Sequence, residues 1–161
     1  MKATSVFYRN MDAFGQGKRY IVNKGSTRSS KTYSLLQLLF QVADNSPRRL
    51  VISIVSESMP HLKRGGIRDF MNILQGEGRW EPRQWNATEK TYRIGESLIE
   101  FFSADNASKV HGPSRDILYI NECINIPYET YRQLAIRTTS TIFLDCNPAF
   151  SFWLDDKVLT S

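Results

Sequence analysis

Five residues, Arg19 to Asn23 (RYIVN), run straight into a Gly-Ser-Thr turn, and a helical apolar pattern begins where that turn ends. The first run is short, apolar and β-branched, as a buried strand is. From Lys31 to Ala43 (KTYSLLQLLFQVA), Leu35, Leu36, Leu39, Phe40 and Ala43 recur at helical spacing, and Asp44-Asn45-Ser46-Pro47 supplies a stop. The unit is therefore strand, loop, helix. A second run, Leu50 to Val55 (LVISIV), lacks polar alternation, which marks a strand covered on both faces and so a parallel sheet flanked by helices. After Met59-Pro60 a helix is expected to about Leu74, weakened early by Gly65-Gly66. Thr91 to Ile94 and Leu98 to Phe102 flank Gly95-Glu96-Ser97 as a hairpin. Ile117 to Ile120 and Thr141 to Leu144 read as strands, with a helix from Tyr128 to Ile136 behind Pro127. Strands alternating with helices predict an α/β three-layer sandwich, and 161 residues suffice for one such domain.

The turn itself carries chemistry. In the phosphate-binding pattern GxxxxGK[ST], backbone amides wrap phosphates, the lysine reaches the terminal ones, and the hydroxyl binds magnesium. Gly25, Ser26, Thr27, Arg28, Ser29, Ser30, Lys31 and Thr32 fit that spacing, with Ser30 at the second glycine. Serine has less freedom at positive φ than glycine but keeps its amide donor. Arg28 is placed to touch a γ-phosphate or simply to attract any phosphate. The same stretch also reads as a polar strand-to-helix turn.

Downstream, ILYINE (Ile117 to Glu122) is an apolar strand ending in Asn121-Glu122. Glu122 is the candidate that polarises an attacking water. Asn121 stands where an aspartate is usual, and its amide oxygen can still accept from a magnesium-bound water. FLDCNP delivers Asp145 and Asn147 to a strand end, the edge where ligands bind in open α/β sheets, although Asn147-Pro148 also reads as a plain turn.

A formal charge of +5 favours a polyanionic partner, though the basic residues are spread along the chain. Cys123 and Cys146 lack metal-ligand spacing and read as buried free thiols of a reducing compartment. No apolar run approaches the ~18 residues of a membrane span, and the first residues lack a signal core, so a soluble intracellular protein is expected. The connector Gly76 to Asn86 holds Trp80 and Trp85 among Arg79 and Arg83; these rings either contact DNA by stacking or pack on the domain surface.

Taken in order, these motifs resemble the ATPase region of phage terminase large subunits, a P-loop fold of the RecA/ASCE type. KGSTRSSKT is similar to that family's Walker A loop, and VSESMPHLKRGGIRDF to its segment after the second strand. IEFFSADNASKVHG resembles the approach to Walker B. ILYINECINIP resembles Walker B with its catalytic glutamate, and LDCNPAFSFW the Asn-Pro element of the coupling strand. The resemblance implies ATP held by Gly25 to Thr32, magnesium held by Thr32 and Asn121, and catalysis by Glu122, Lys31 and Arg28. Asp145 and Asn147 would couple hydrolysis to movement on double-stranded DNA. It further implies a small terminase subunit and a portal protein as partners, and a ring of about five subunits. The setting would be the bacterial host cytoplasm, transiently at the prohead, with no membrane. Residues 1–161 would form a single ATPase domain incomplete at its C-terminal end, without the family's nuclease domain. The competing expectations are another P-loop ATPase acting on nucleic acid, or a nucleotide-binding module without turnover.

Overall fold

The computed structural model describes residues 4–25 and 31–146. Their elements alternate as expected: α1 (Ser5–Gly15), β1 (Tyr20–Lys24), α2 (Lys31–Asn45), β2 (Val51–Ser56), α3 (Met59–Leu62), α4 (Arg68–Gly76), β3 (Trp85–Asn86), β4 (Thr91–Ile94), β5 (Ser97–Ser103), α5 (Ala107–Val110), β6 (Arg115–Ile120), α6 (Tyr128–Ile136) and β7 (Thr138–Cys146). The strands form one sheet in the order β1-β7-β6-β2-β5-β4-β3. From β1 to β5 every neighbouring pair is parallel, and the β4–β5 and β3–β4 pairs add an antiparallel edge. The last strand of the sheet in chain order is thus inserted between β1, which precedes the Gly-Ser-Thr loop, and β6, which ends at Asn121-Glu122.

Period-two alternation sends side chains from each central strand into two separate cores. Ile52, Ile54, Ile117, Tyr119 and Phe143 pack with Leu35, Leu36, Leu38 and Leu39 of α2 and with Phe70 of α4. Val55, Leu118, Ile120, Ile142 and Leu144 pack on the opposite side with Tyr131 and Leu134 of α6. Helices on both faces of a mostly parallel sheet make the three layers predicted from the pattern. α2 lies between α1 and α4, which is why its apolar positions extend beyond a single stripe.

Four details differ from the expectations or refine them. α1 had no counterpart among the predicted elements; Thr4 caps it, and Thr4 Oγ1 lies 2.6 Å from Ser34 Oγ of α2. The helix predicted after Met59-Pro60 is interrupted by a π-helical turn, Lys63–Ile67, where Gly65 and Gly66 were expected to weaken it. The polar stretch before β6 contains α5. The tryptophan connector is packed: Trp80 stacks on Tyr92 at 5.0 Å and Trp85 meets Phe101 edge-on at 6.1 Å. Those rings serve the core, so the stacking contact with DNA entertained for this segment finds no support here. Among the described residues no helix is long and apolar enough to cross a membrane.

Candidate functional site

The parallel strands end together at one edge, where Gly25 follows β1, Asn121-Glu122 follow β6, and Asp145 is the last residue but one of β7. Gly25, at the exit of β1, donates its N–H to the Cys146 carbonyl at 3.1 Å and ties the start of the loop to β7. Lys31 opens the fifteen-residue α2 and is 7% exposed. Its Nζ donates to the carbonyls of Gly25 at 2.6 Å and Cys146 at 3.1 Å. A buried ammonium at a helix N-terminus adds to the positive end of the helix dipole, so this corner is electrostatically built for an anion.

Next in the same helix, Thr32 Oγ1 donates to Asn121 Oδ1 at 3.2 Å. The Tyr119 hydroxyl, from β6, donates to Asp145 Oδ2 and lies 3.4 Å from Asn121 Oδ1. Asp145 Oδ1 accepts the Glu122 N–H at 2.6 Å. Burial raises the pKa of Asp145, opposed by the bonds from Tyr119 and Glu122 and by the Lys31 charge. Burial, then the neighbouring Asp145, pushes the Tyr119 hydroxyl well above its ordinary value. Glu122 has φ 55° and ψ 58°, a left-handed conformation that costs a side-chain-bearing residue roughly 1–2 kcal/mol. The Asp145 bond to its amide helps to hold it there, with the residue half-buried at the sheet edge.

The two cysteines flank this arrangement and are both buried and free. Their mutual hydrogen bond, then burial, pushes the Cys123 thiol far up, while the same bond lowers Cys146. They are packing thiols of the second core rather than ligands.

The fold therefore brings together Gly25, Lys31, Thr32, Asn121, Glu122 and Asp145. Ser26, Thr27, Arg28, Ser29, Ser30 and Asn147 lie outside the described residues. Tyr119 was missed; its signal was a polar-tipped aromatic two positions before Asn121, on the same strand face. Among the described residues no group of three or more His, Cys, Asp or Glu side chains converges to hold a metal. The oxygens of Thr32 and Asn121 instead suit the sparse, hard-oxygen environment in which magnesium is held mainly by water and substrate phosphates.

A mostly parallel sheet flanked by helices, with β7 inserted between β1 and β6, is the strand arrangement of the ASCE class of P-loop folds. Within that class the chain has the fold of the ATPase domain of bacteriophage large terminases. The large terminase of a thermophilic bacteriophage superposes with a TM-score of 0.84 at 16% identity, over 99% of this chain and 43% of that one. The same protein in complex with ATP-gamma-S gives 0.80 at 15% identity, over 99% of this chain and 42% of that one. The large terminase ATPase domain of a Thermus phage gives 0.66 at 14% identity, over 96% of this chain and 68% of that domain. The chain thus spans less than half the length of the thermophilic phage protein. No protein-family model matches the sequence, and no curated protein matches it at the sequence level.

Proposed function

We propose that this chain is the ATP-hydrolysing motor domain of a phage large terminase, which powers packaging of double-stranded DNA into proheads. The observation that carries the reading is the buried Lys31 ammonium at the N-terminus of α2, with Thr32, Asn121 and Glu122 converging on the same sheet edge. ATP-gamma-S and ADP are bound by the thermophilic phage terminase, whose fold this chain shares.

On this reading the phosphates of ATP lie along Gly25 to Thr32, where α2 directs its unpaired N–H groups. Lys31 leaves the Gly25 and Cys146 carbonyls to pair with the β- and γ-phosphates, exchanging two neutral acceptors for anionic ones. Thr32 and Asn121 would hold magnesium, which would supply positive charge to screen the phosphates. Glu122 orients and polarises the attacking water, its carboxylate presented by the left-handed turn that Asp145 helps to hold. Arg28 stabilises the charge that develops on the γ-phosphate. Asp145, near the end of β7, and Asn147, two residues on in the sequence, transmit the state of the site to a DNA-gripping movement. By kinship with terminases the partners are DNA, a small subunit, a portal and further copies of the chain in a ring.

Calorimetry of ATP binding with magnesium, beside Lys31→Ala and Glu122→Gln, tests this. Lys31→Ala is expected to weaken binding at least about tenfold, or 1.4 kcal/mol, and Glu122→Gln to retain binding while abolishing phosphate release. Equal affinity in Lys31→Ala and the parent would overturn the loop assignment. The absence of charge at Asn121 favours one second reading, a nucleotide-binding module without turnover. Magnesium-dependent phosphate release from the parent rejects it.

A further inference from the structure

Residue 121 ends the acid strand but carries an amide, so the carboxylate that would balance a divalent cation there is missing from its usual strand. A carboxylate is nevertheless present beside it. In the β6–β7 ladder Ile120 pairs with Leu144, so Asn121 and Asp145 are each one residue beyond that pair on adjacent strands. Asp145 is 2% exposed, and each of its oxygens accepts a hydrogen bond, from Tyr119 and from the Glu122 amide. An aspartate at position 121 would face Asp145 across the single Tyr119 hydroxyl, and two such carboxylates oppose each other's ionisation. Asparagine at 121 and aspartate at 145 are thus complementary: one negative charge serves the pair.

We infer that Asp145, acting through the Tyr119 hydroxyl on Thr32 and Asn121, supplies the negative charge for the divalent cation that residue 121 does not carry. This rests on the nucleotide-site reading above. The geometry places that charge close by. Tyr119 donates its proton to Asp145, and its oxygen lies 3.4 Å from Asn121 Oδ1. The Thr32 proton is accepted by Asn121 Oδ1 at 3.2 Å, which frees lone pairs of Thr32 Oγ1 for a cation. The Asp145 charge is thus one hydroxyl away from the Asn121 and Thr32 oxygens, in a buried setting where its attraction for a cation is strengthened. Asp145 is a positioning residue here, since it reaches the cation through Tyr119, Thr32 and Asn121.

The test compares ADP affinity with and without magnesium by calorimetry, the ratio of the two being the readout, with circular dichroism and thermal melting as checks on folding. The parent is expected to bind more tightly with magnesium. Asp145→Asn keeps the shape, with its amide oxygen available to the Glu122 N–H and its NH2 to the Tyr119 oxygen. It is expected to cut the magnesium enhancement by about five- to tenfold. Tyr119→Phe, which keeps the buried ring and removes the relay oxygen, is expected to cut it several-fold. The decisive variant moves the charge back: Asn121→Asp combined with Asp145→Asn is expected to recover the parent ratio to within about threefold. Full magnesium enhancement in folded Asp145→Asn, or no recovery in a folded double variant, overturns the inference. If Asp145→Asn does not fold, an undiminished ratio in Tyr119→Phe overturns it instead. A parent that binds no ADP in either condition, with Lys31→Ala indistinguishable from it, removes the nucleotide reading itself and the inference with it, and is separable from the other outcomes.

Discussion

Glu122, at the site edge, and Gly112, in the turn that leads into β6, show how single residues hold the backbone in shape. The left-handed backbone at Glu122 is one that glycine adopts freely, so Glu122→Gly is expected to be more stable than Glu122→Ala by about 1 kcal/mol in urea denaturation, with turnover lost in both. Gly112 has the opposite problem: a Cβ there would collide with the Ser108 carbonyl oxygen, a backbone atom that cannot move alone. Gly112→Ala is expected to cost about 2 kcal/mol by the same measurement, because the turn that delivers the chain into β6 must shift. The positions of Lys31, Thr32 and Glu122 at the ends of α2 and β6 were legible because they depend on local spacing. Tyr119 was not, since within ILYI it is indistinguishable from a core aromatic until its hydroxyl is seen to meet Asp145, on a different strand.

At the scale of elements, the edge hairpin and α6 carry separate expectations. Trp80 on Tyr92 and Trp85 on Phe101 seal the end of the first core, where Tyr92 also donates to the Arg79 carbonyl and accepts from the Glu81 N–H. Trp80→Ala is expected to cost roughly 2–3 kcal/mol in denaturation, below the usual range for a fully buried tryptophan because the ring is only partly buried. In α6, the bonds from Arg132 and then Gln133 hold Glu129 down to about 2, from an ordinary 4.5. A depressed carboxylate stabilises the fold fully above the ordinary value and loses that contribution as pH falls toward the folded one. Glu129→Gln should therefore flatten the acid limb of the urea midpoint between about pH 4.5 and 2, by a small amount because the pair is exposed and screened. The helix α1 escaped sequence reading although its Thr4 cap and its apolar Val6, Phe7, Met11 and Phe14 were in view. Asn10 interrupts that face as an apparent polar error, and only the reciprocal amide bonds with Asn23 of β1, at 2.8 and 2.9 Å, make it a docking residue.

For the molecule as a whole, a site assembled from the ends of β1, β6 and β7 would, on the proposed reading, couple nucleotide binding to global stability. Ligand at about a hundred times its dissociation constant adds roughly 2.7 kcal/mol, so magnesium and ATP are expected to raise the melting temperature by about 5–10 °C, and Lys31→Ala to show about half that shift or less. The sequence by itself determined the strand β1 and the helix α2 that follows it, the parallel sheet, and the place of Lys31, Thr32, Asn121 and Glu122 at the ends of their elements. Each rests on local periodicity or on spacing within a few residues, where backbone geometry leaves little choice. Only the tertiary structure decided that β7 enters between β1 and β6, and with it that Asp145 lies beside Asn121, bonds Tyr119 and holds the Glu122 amide. Strand order and register are fixed by long-range burial of two opposite faces. No short stretch of sequence encodes which carboxylate will end beside which amide until those faces are packed.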